Sequence, residues 1–179
     1  MDFFEIIEKR YSHKEKFLSD AVPLEKLELI AKAGLAAPSG GNSQCVRLII
    51  LKNRSEIQAL SDLCKHGGLM TAPAAIAVLT DSSKQEPDTN FELEDYSAAV
   101  ENMLLSAVAL GYAALWLDYP FFNDDTQKSA CEILGVPADH HLRVVMPIGL
   151  PDGEGTRREK LPFEARVSYG KFGQPKSKT

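Results

Sequence analysis

The sequence predicts an α/β or α+β domain whose sheet faces are covered by helices, and three observations carry that prediction. Segments with helical spacing of apolar residues alternate along the chain with short apolar runs that read as strands. Turn-forming residues separate them, and neither an internal repeat nor a linker interrupts the series. The 179 residues are 44% hydrophobic and 25% charged, which suits one globular domain over 1–179. A chain of that length buries about 70% of its unfolded surface and needs no metal or disulfide staple.

Each element has its own signal. Phe3, Phe4, Ile6 and Ile7 predict a short opening helix ending near Lys9-Arg10. Pro23 stands where a helix begins, and Leu27, Ile30, Ala31 and Gly34 follow at helical spacing. That helix stops at Ala37-Pro38, because the residue before a proline avoids the helical region. Pro38 to Gln44 is a loop by composition, Val46 to Leu51 a buried strand, and about Ser55–Cys64 a helix. A second strand is expected at Ala74 to Thr80, and Asp81 to Asn90 reads as a polar surface loop. Tyr96, Ala99, Val100, Met103, Leu104, Ala107, Val108 and Gly111 hold one helix face for four turns. Ala113 to Leu117 follows as a short strand, Asp124 to Leu134 as a helix closed by Gly135, and Leu142 to Ile148 as a strand. A last strand is expected at Glu164 to Tyr169.

Several functions are disfavoured. A net charge of −5 argues against a general nucleic-acid binder, although a local basic patch is compatible with it. Cys45, Cys64 and Cys131 are odd in number and lack a CxxC spacing, which is neither a disulfide framework nor a zinc ribbon. Acids stand at Asp2 and Glu5, where a signal peptide places cations, and the apolar run Ala72 to Leu79 is too short for a bilayer. The expectation is a cytoplasmic protein with no membrane partner. His140-His141 lack a third ligand in sequence, so no metal site is expected, and they read as a turn before the long strand. His66-Gly67-Gly68 reads as a helix end with a left-handed cap. Neither Gly-x-Gly-x-x-Gly nor Gly-x-Ser-x-Gly is present, and no cysteine has a neighbouring His.

Three segments carry chemistry. In an extended Arg10-Tyr11-Ser12-His13-Lys14, residues Arg10, Ser12 and Lys14 point to one side as a phosphate-binding set. The same spacing fits a solvated basic turn after a helix. Ala37-Pro38-Ser39-Gly40-Gly41-Asn42-Ser43-Gln44 pairs close backbone approach at the glycines with donor–acceptor amides suited to a heterocycle edge. An ordinary helix-to-strand turn uses the same residue types. Gly149 to Arg158 ends a strand in a loop with three glycines and paired arginines, Arg157 and Arg158, equally readable as a solvated charge run.

Taken together and in order, these segments resemble the nitroreductase family of flavin enzymes. The resemblance rests on Arg10-x-Ser12-x-Lys14 and on Ala37-Pro38-Ser39-Gly40-Gly41-Asn42-Ser43-Gln44. It continues in Glu101-Asn102-Met103-Leu104-Leu105, Gly111-Tyr112-x-x-x-Trp116, and Ile148-Gly149-Leu150-Pro151 with Arg158 and Leu161. It spans about Phe3 to Glu164.

The resemblance implies an α+β fold with a central, mostly antiparallel sheet flanked by helices, in an intertwined homodimer with FMN at the subunit interface. Arg10, Ser12 and Lys14 would contact the FMN phosphate, ribityl chain and pyrimidine edge. Pro38, Ser39, Asn42 and Gln44 would line the isoalloxazine, Asp118 and Tyr119 would lie near N5, and Gly149, Arg157 and Arg158 would complete the phosphate site. Side chains would supply no acid, base or nucleophile, because the flavin carries the chemistry. The implied activity is an oxidoreductase passing hydride from NADH or NADPH through flavin N5 to a nitro compound, quinone or similar small-molecule acceptor, in a ping-pong cycle. A non-catalytic flavin store or sensor on the same scaffold is the alternative. The chain departs from the family at Cys45-Val46, where Pro-Trp is common, at Tyr119, where glycine is frequent, and in lacking a long insertion over the flavin.

Overall fold

A computed structural model describes residues 1–84 and 89–176. Its core is a four-stranded antiparallel sheet in the order β1-β2-β4-β3, with β1 at Val46–Leu51, β2 at Ala74–Asp81, β3 at Ala113–Ala114 and β4 at His140–Gly149. The described residues add six α-helices: α1 Phe3–Lys9, α2 Leu24–Leu35, α3 Arg54–Cys64, α4 Gly67–Thr71, α5 Glu92–Ala109 and α6 Asp124–Leu134.

The central strand β2 explains the layering. All eight of its residues are buried, because helices cover both faces. Ala74, Ile76 and Val78 meet Val144, Met146 and Ile148 beneath α2 and α5, where Leu27, Ile30, Val100 and Met103 close the layer. The alternate residues Ala75, Ala77 and Leu79 face Ile57 and Leu60 of α3, Leu69 of α4 and Ala130 of α6. Helices α2 and α5 come so close that a Cβ on Gly34 would lie 2.6 Å from Met103. The ladder skips Arg143, since Val78 pairs with Val144 and Leu79 with Leu142. This bulge sends the Arg143 guanidinium to Thr80 and to the buried Glu92 carboxylate.

The helix ends follow their caps. Asp2 and Glu5 form a capping box on α1, Asn53 and Asn123 cap α3 and α6, and Gly135 closes α6 at φ 64.

Five expectations are corrected. The segment Glu164 to Tyr169 is no strand: it holds the end of a 3₁₀ turn, Phe163–Ala165, stands exposed, and pairs with no strand among the described residues. The left-handed cap of α3 is Lys65 at φ 50, and His66 instead precedes the short helix α4. Asp81 belongs to β2 and is buried, so the chain leaves the sheet one residue later than the expected Asp81–Asn90 loop; part of that loop, 85–88, lies outside the described residues. His140 and His141 begin β4 rather than a turn. The strand expected over Ala113 to Leu117 is continuous only at Ala113–Ala114. Opposite Leu115 stands Pro147, which accepts from Leu115 but has no N–H to return, so pairing resumes only at Leu117 and Val145.

Candidate functional site

The chain leaves α1 in an extended conformation and lies along the outer edge of β3. Ser12 bridges Ala114, and the His13 N–H donates to the Ala114 carbonyl at 3.1 Å. Alternation then buries His13 fully, with its Nε2 bonded to the Lys16 carbonyl at 2.8 Å. Arg10, Ser12 and Lys14 are left on a groove of about 630 Å³. Its far wall comes from the other end of the sequence and includes Arg157 and Arg158. Arg157 donates to the Glu8 and Lys9 carbonyls and lies 5.4 Å over the Tyr11 ring, which pins the C-terminal segment to the end of α1. The lining holds five cations (Arg10, Lys14, Arg157, Arg158, Lys160) against three carboxylates (Glu8, Glu15, Glu101), a local balance of +2 in a chain of −5. Arg10 leans toward Glu101, with Nε 3.6 Å from Oε1. Near Lys14, burial and the lysine charge lower the His66 pKa, and its Nδ1 is buried without a hydrogen-bond partner among the described residues.

A second groove, of about 700 Å³, collects Pro38, Ser39, Asn42 and Gln44 beside β1 and α5. Its loop is strained: Gly41, Asn42 and Gln44 have φ of 57°, 58° and 51°. Left-handed non-glycine residues cost about 1–3 kcal/mol each and persist only where surroundings impose them. The imposing groups are visible. Asp95 of α5, 3% exposed, accepts from the Gly40 N–H at 2.7 Å, the Ser43 hydroxyl at 2.9 Å and the Cys45 thiol at 3.3 Å. Ser39 Oγ accepts from the Gln44 N–H, and Arg47 donates to the Gln44 carbonyl at 2.6 Å. Phe91 lies over Gly40, where a Cβ would fall 2.3 Å from its ring. Burial and the hydrogen bond to Asp95 push the Cys45 thiol up to about 11, so it stays a protonated donor. Among the described residues, the Asn42 and Gln44 side-chain amides make no internal hydrogen bond and stand exposed.

Helix α5 separates the two grooves. Asp95 and Ala99, one turn apart, line the loop groove, whereas Glu101 lines the cation groove. Two residues of α-helix turn through about 200°, so the grooves lie on opposite flanks of one rod.

Of the expected site residues, Arg10, Ser12, Lys14, Arg157 and Arg158 share one groove, and Pro38, Ser39, Asn42 and Gln44 share the other. Gly149, Asp118 and Tyr119 line neither. Gly149 ends β4 against Pro73 and Phe17, and Tyr119 is 79% exposed beside Phe122. Sequence reading missed Asp95, whose signal was an acid on the core face of the α5 helix. It also missed the grouping of Asp81, Asp139 and His140, whose ligand atoms lie within 4.8 Å; Arg47 already pairs with that Asp81 at 3.1 Å.

No helix of the described residues is long and apolar enough to cross a membrane. The sequence model of the nitroreductase family matches residues 7–69 and 58–150. An Archaeoglobus fulgidus protein named "Putative NADH dehydrogenase/NAD(P)H nitroreductase" is 34% identical over 132 residues, which cover 73% of this chain and 75% of that protein. Among solved structures, the FMN-dependent nitroreductase of Clostridium difficile R20291 is 28% identical with a TM-score of 0.81, over 94% of this chain and 99% of that one. A Desulfovibrio desulfuricans protein solved in complex with FMN is 26% identical with a TM-score of 0.83, over 96% and 98% of the two chains.

Proposed function

The chain belongs to the nitroreductase family, and from that premise we propose that it is an FMN-dependent NAD(P)H oxidoreductase acting on a nitro compound, quinone or similar acceptor in a ping-pong cycle. The observation that carries the reading is the meeting of Arg10, Ser12 and Lys14 with Arg157 and Arg158 across most of the sequence. The donor set fits FMN. Guanidinium and ammonium groups with a hydroxyl suit a dianionic phosphate. Two exposed amides on a rigid loop suit the donor–acceptor edge of a flavin ring.

Bound FMN supplies the two-electron transfer itself, and the protein supplies position and field. Arg10, Lys14 and Arg158 would bind the phosphate, and Arg157, whose guanidinium bonds the Glu8 and Lys9 carbonyls, would add its charge. Lys14 or Arg10 would place positive charge beside the bound ring and so favour its acceptance of electrons. Ser39, Asn42 and Gln44 orient the ring plane.

The two grooves face opposite flanks of α5, so one chain does not bring them together. A homodimer does, with the cation groove of one subunit meeting the amide loop of its partner. Two features support this assembly. The segment 156–176 is exposed throughout and carries Leu161, Phe163, Val167, Tyr169 and Phe172. Strand β1 is a sheet edge with half-buried Val46, Leu48 and Ile50. Exposed apolar surface of this extent marks an interface.

The test is a visible spectrum of the purified protein, followed by anaerobic addition of NADH and NADPH. A yellow dimer bleached by either nucleotide is expected. A protein that takes up no FMN overturns the reading, and one that binds FMN but resists reduction by both supports the flavin store or sensor.

A further inference from the structure

We propose that Asp95 is the positioning residue of the amide loop: its carboxylate ties Gly40, Ser43 and Cys45 to helix α5 and thereby aims Asn42 and Gln44 at the flavin. The inference rests on the proposed flavin site and adds a residue to it.

The geometry is specific. A buried carboxylate is costly unless its oxygens are satisfied. Asp95 forms no ion pair among the described residues, and its three donors all come from the loop. The remaining hydrogen bonds at Gly40, Asn42 and Ser43 stay inside the loop: Asn42 N–H to the Ser39 carbonyl and Ser43 N–H to the Gly40 carbonyl, both 3.0 Å. Arg47 and the Ser39 hydroxyl act on Gln44. Asp95 is therefore the polar tie between the strained turn and the helix beneath it. Its position couples the loop to α5, because α5 also carries Asn102, which donates to the Ala33 carbonyl of α2 at 3.1 Å, just ahead of the loop. Loop start and loop centre are both referenced to one helix.

The consequence for a ligand is conformational. Without Asp95 the left-handed residues relax, and the amides face the flavin for only a fraction of the time. Apparent affinity falls by that fraction: a loop competent about one-tenth of the time weakens binding about tenfold.

The experiment compares Asp95→Ala and Asp95→Asn with Glu92→Gln, a buried change on the same helix whose side-chain hydrogen bonds run to Thr80 and Arg143 and, among the described residues, none to the loop. Three quantities are read: hydrogen exchange of the 40–45 amides without flavin, FMN affinity by fluorescence quenching, and the shape of the bound-flavin absorption band. Asp95→Ala should speed exchange in the loop while α5 stays protected, weaken FMN by about tenfold or more, and alter the band. Asp95→Asn keeps an acceptor for Gly40 but faces the thiol with a donor, and should fall between. Should the alanine variant fail to fold, the asparagine variant carries the test. Unchanged loop exchange overturns the proposal, as does an FMN loss no larger than that of a Glu92→Gln protein of matched thermal stability. A wild-type chain that binds no FMN refutes the flavin reading instead, and the exchange measurement still decides the role of Asp95.

Discussion

Arg10 and Glu101 meet in the cation groove with only part of their charge exposed, which lets one pair of substitutions locate the phosphate. Arg10→Ala removes one charge-assisted hydrogen bond to phosphate, worth about 1.5–3 kcal/mol, so the FMN dissociation constant should rise about 10- to 150-fold. Glu101→Gln has the opposite sign. Its carboxylate is 51% exposed and 3.6 Å from the guanidinium, an arrangement of long contact and partial solvation. Such pairs are worth about 0.2–1 kcal/mol, and releasing Arg10 from one should tighten FMN by about 1.4- to 5-fold. The two effects are read by flavin-fluorescence titration at low and moderate ionic strength. Added salt should weaken wild-type binding more than binding to the alanine variant, because one phosphate contact is missing from the latter. Wild-type affinity in Arg10→Ala would remove the phosphate from this groove. A loss of affinity in Glu101→Gln would show that the carboxylate orients Arg10 rather than competing for it.

Three further outcomes rest on particular contacts. Gly155→Ala drives a Cβ to 2.0 Å from the Tyr11 ring that Arg157 covers, and thermal unfolding should show a loss of about 1–3 kcal/mol. Burial opposes ionisation of Glu92, but hydrogen bonds from Thr80 and Arg143 outweigh it and hold the carboxyl below its unfolded value of 4.5. Its contribution is therefore complete above pH 4.5 and disappears as pH falls through the lower folded value, so Glu92→Gln should flatten the acid limb of a stability–pH profile. A heterodimer of Arg10→Ala and Asn42→Ala subunits tests the shared site by FMN titration. It should hold one tight FMN and one weak FMN if each site joins two chains, and two weakened sites if each lies within a single chain.

Much of the fold is legible in local pattern. The helical spacing of Leu27, Ile30, Ala31 and Gly34 becomes the buried face of α2, and Gly135 closes α6 where its backbone turns left-handed. Two of the errors share a cause, which is information carried by distant partners. Pro147 shortens β3 across the sheet, and nothing within Ala113 to Leu117 announces it. The apolar spacing of Glu164 to Tyr169 is real, yet a strand needs a partner, and among the described residues this exposed segment pairs with none. The site divides in the same way. Arg10, Ser12 and Lys14 are readable from alternation along one extended segment. Asp95 is not, because its role exists only once α5 lies under a loop some 50 residues earlier, as the separation of Ser43 and Asp95 shows. Net charge was uninformative for a related reason: folding concentrates five cations against three carboxylates while the whole chain remains at −5.

Helix α5 touches both halves of the proposed site. Its inner face, Val100, Met103 and Ala107, is locked into the core and cannot rotate without opening the layer against α2. One flank holds the amide loop through Asp95, and the other presents Glu101 to Arg10. The loop takes its reference from α5, whereas the cation groove is built on the β3 edge through Ser12 and His13 and only touches α5 at Glu101. In the proposed dimer each amide loop keeps the placement that its own α5 gives it through Asp95. Preorganisation of that kind spares a ligand the cost of ordering its own site. It also means that substitutions inside the core of α5 should weaken FMN by shifting the loop that Asp95 holds, even where every contacting side chain is intact.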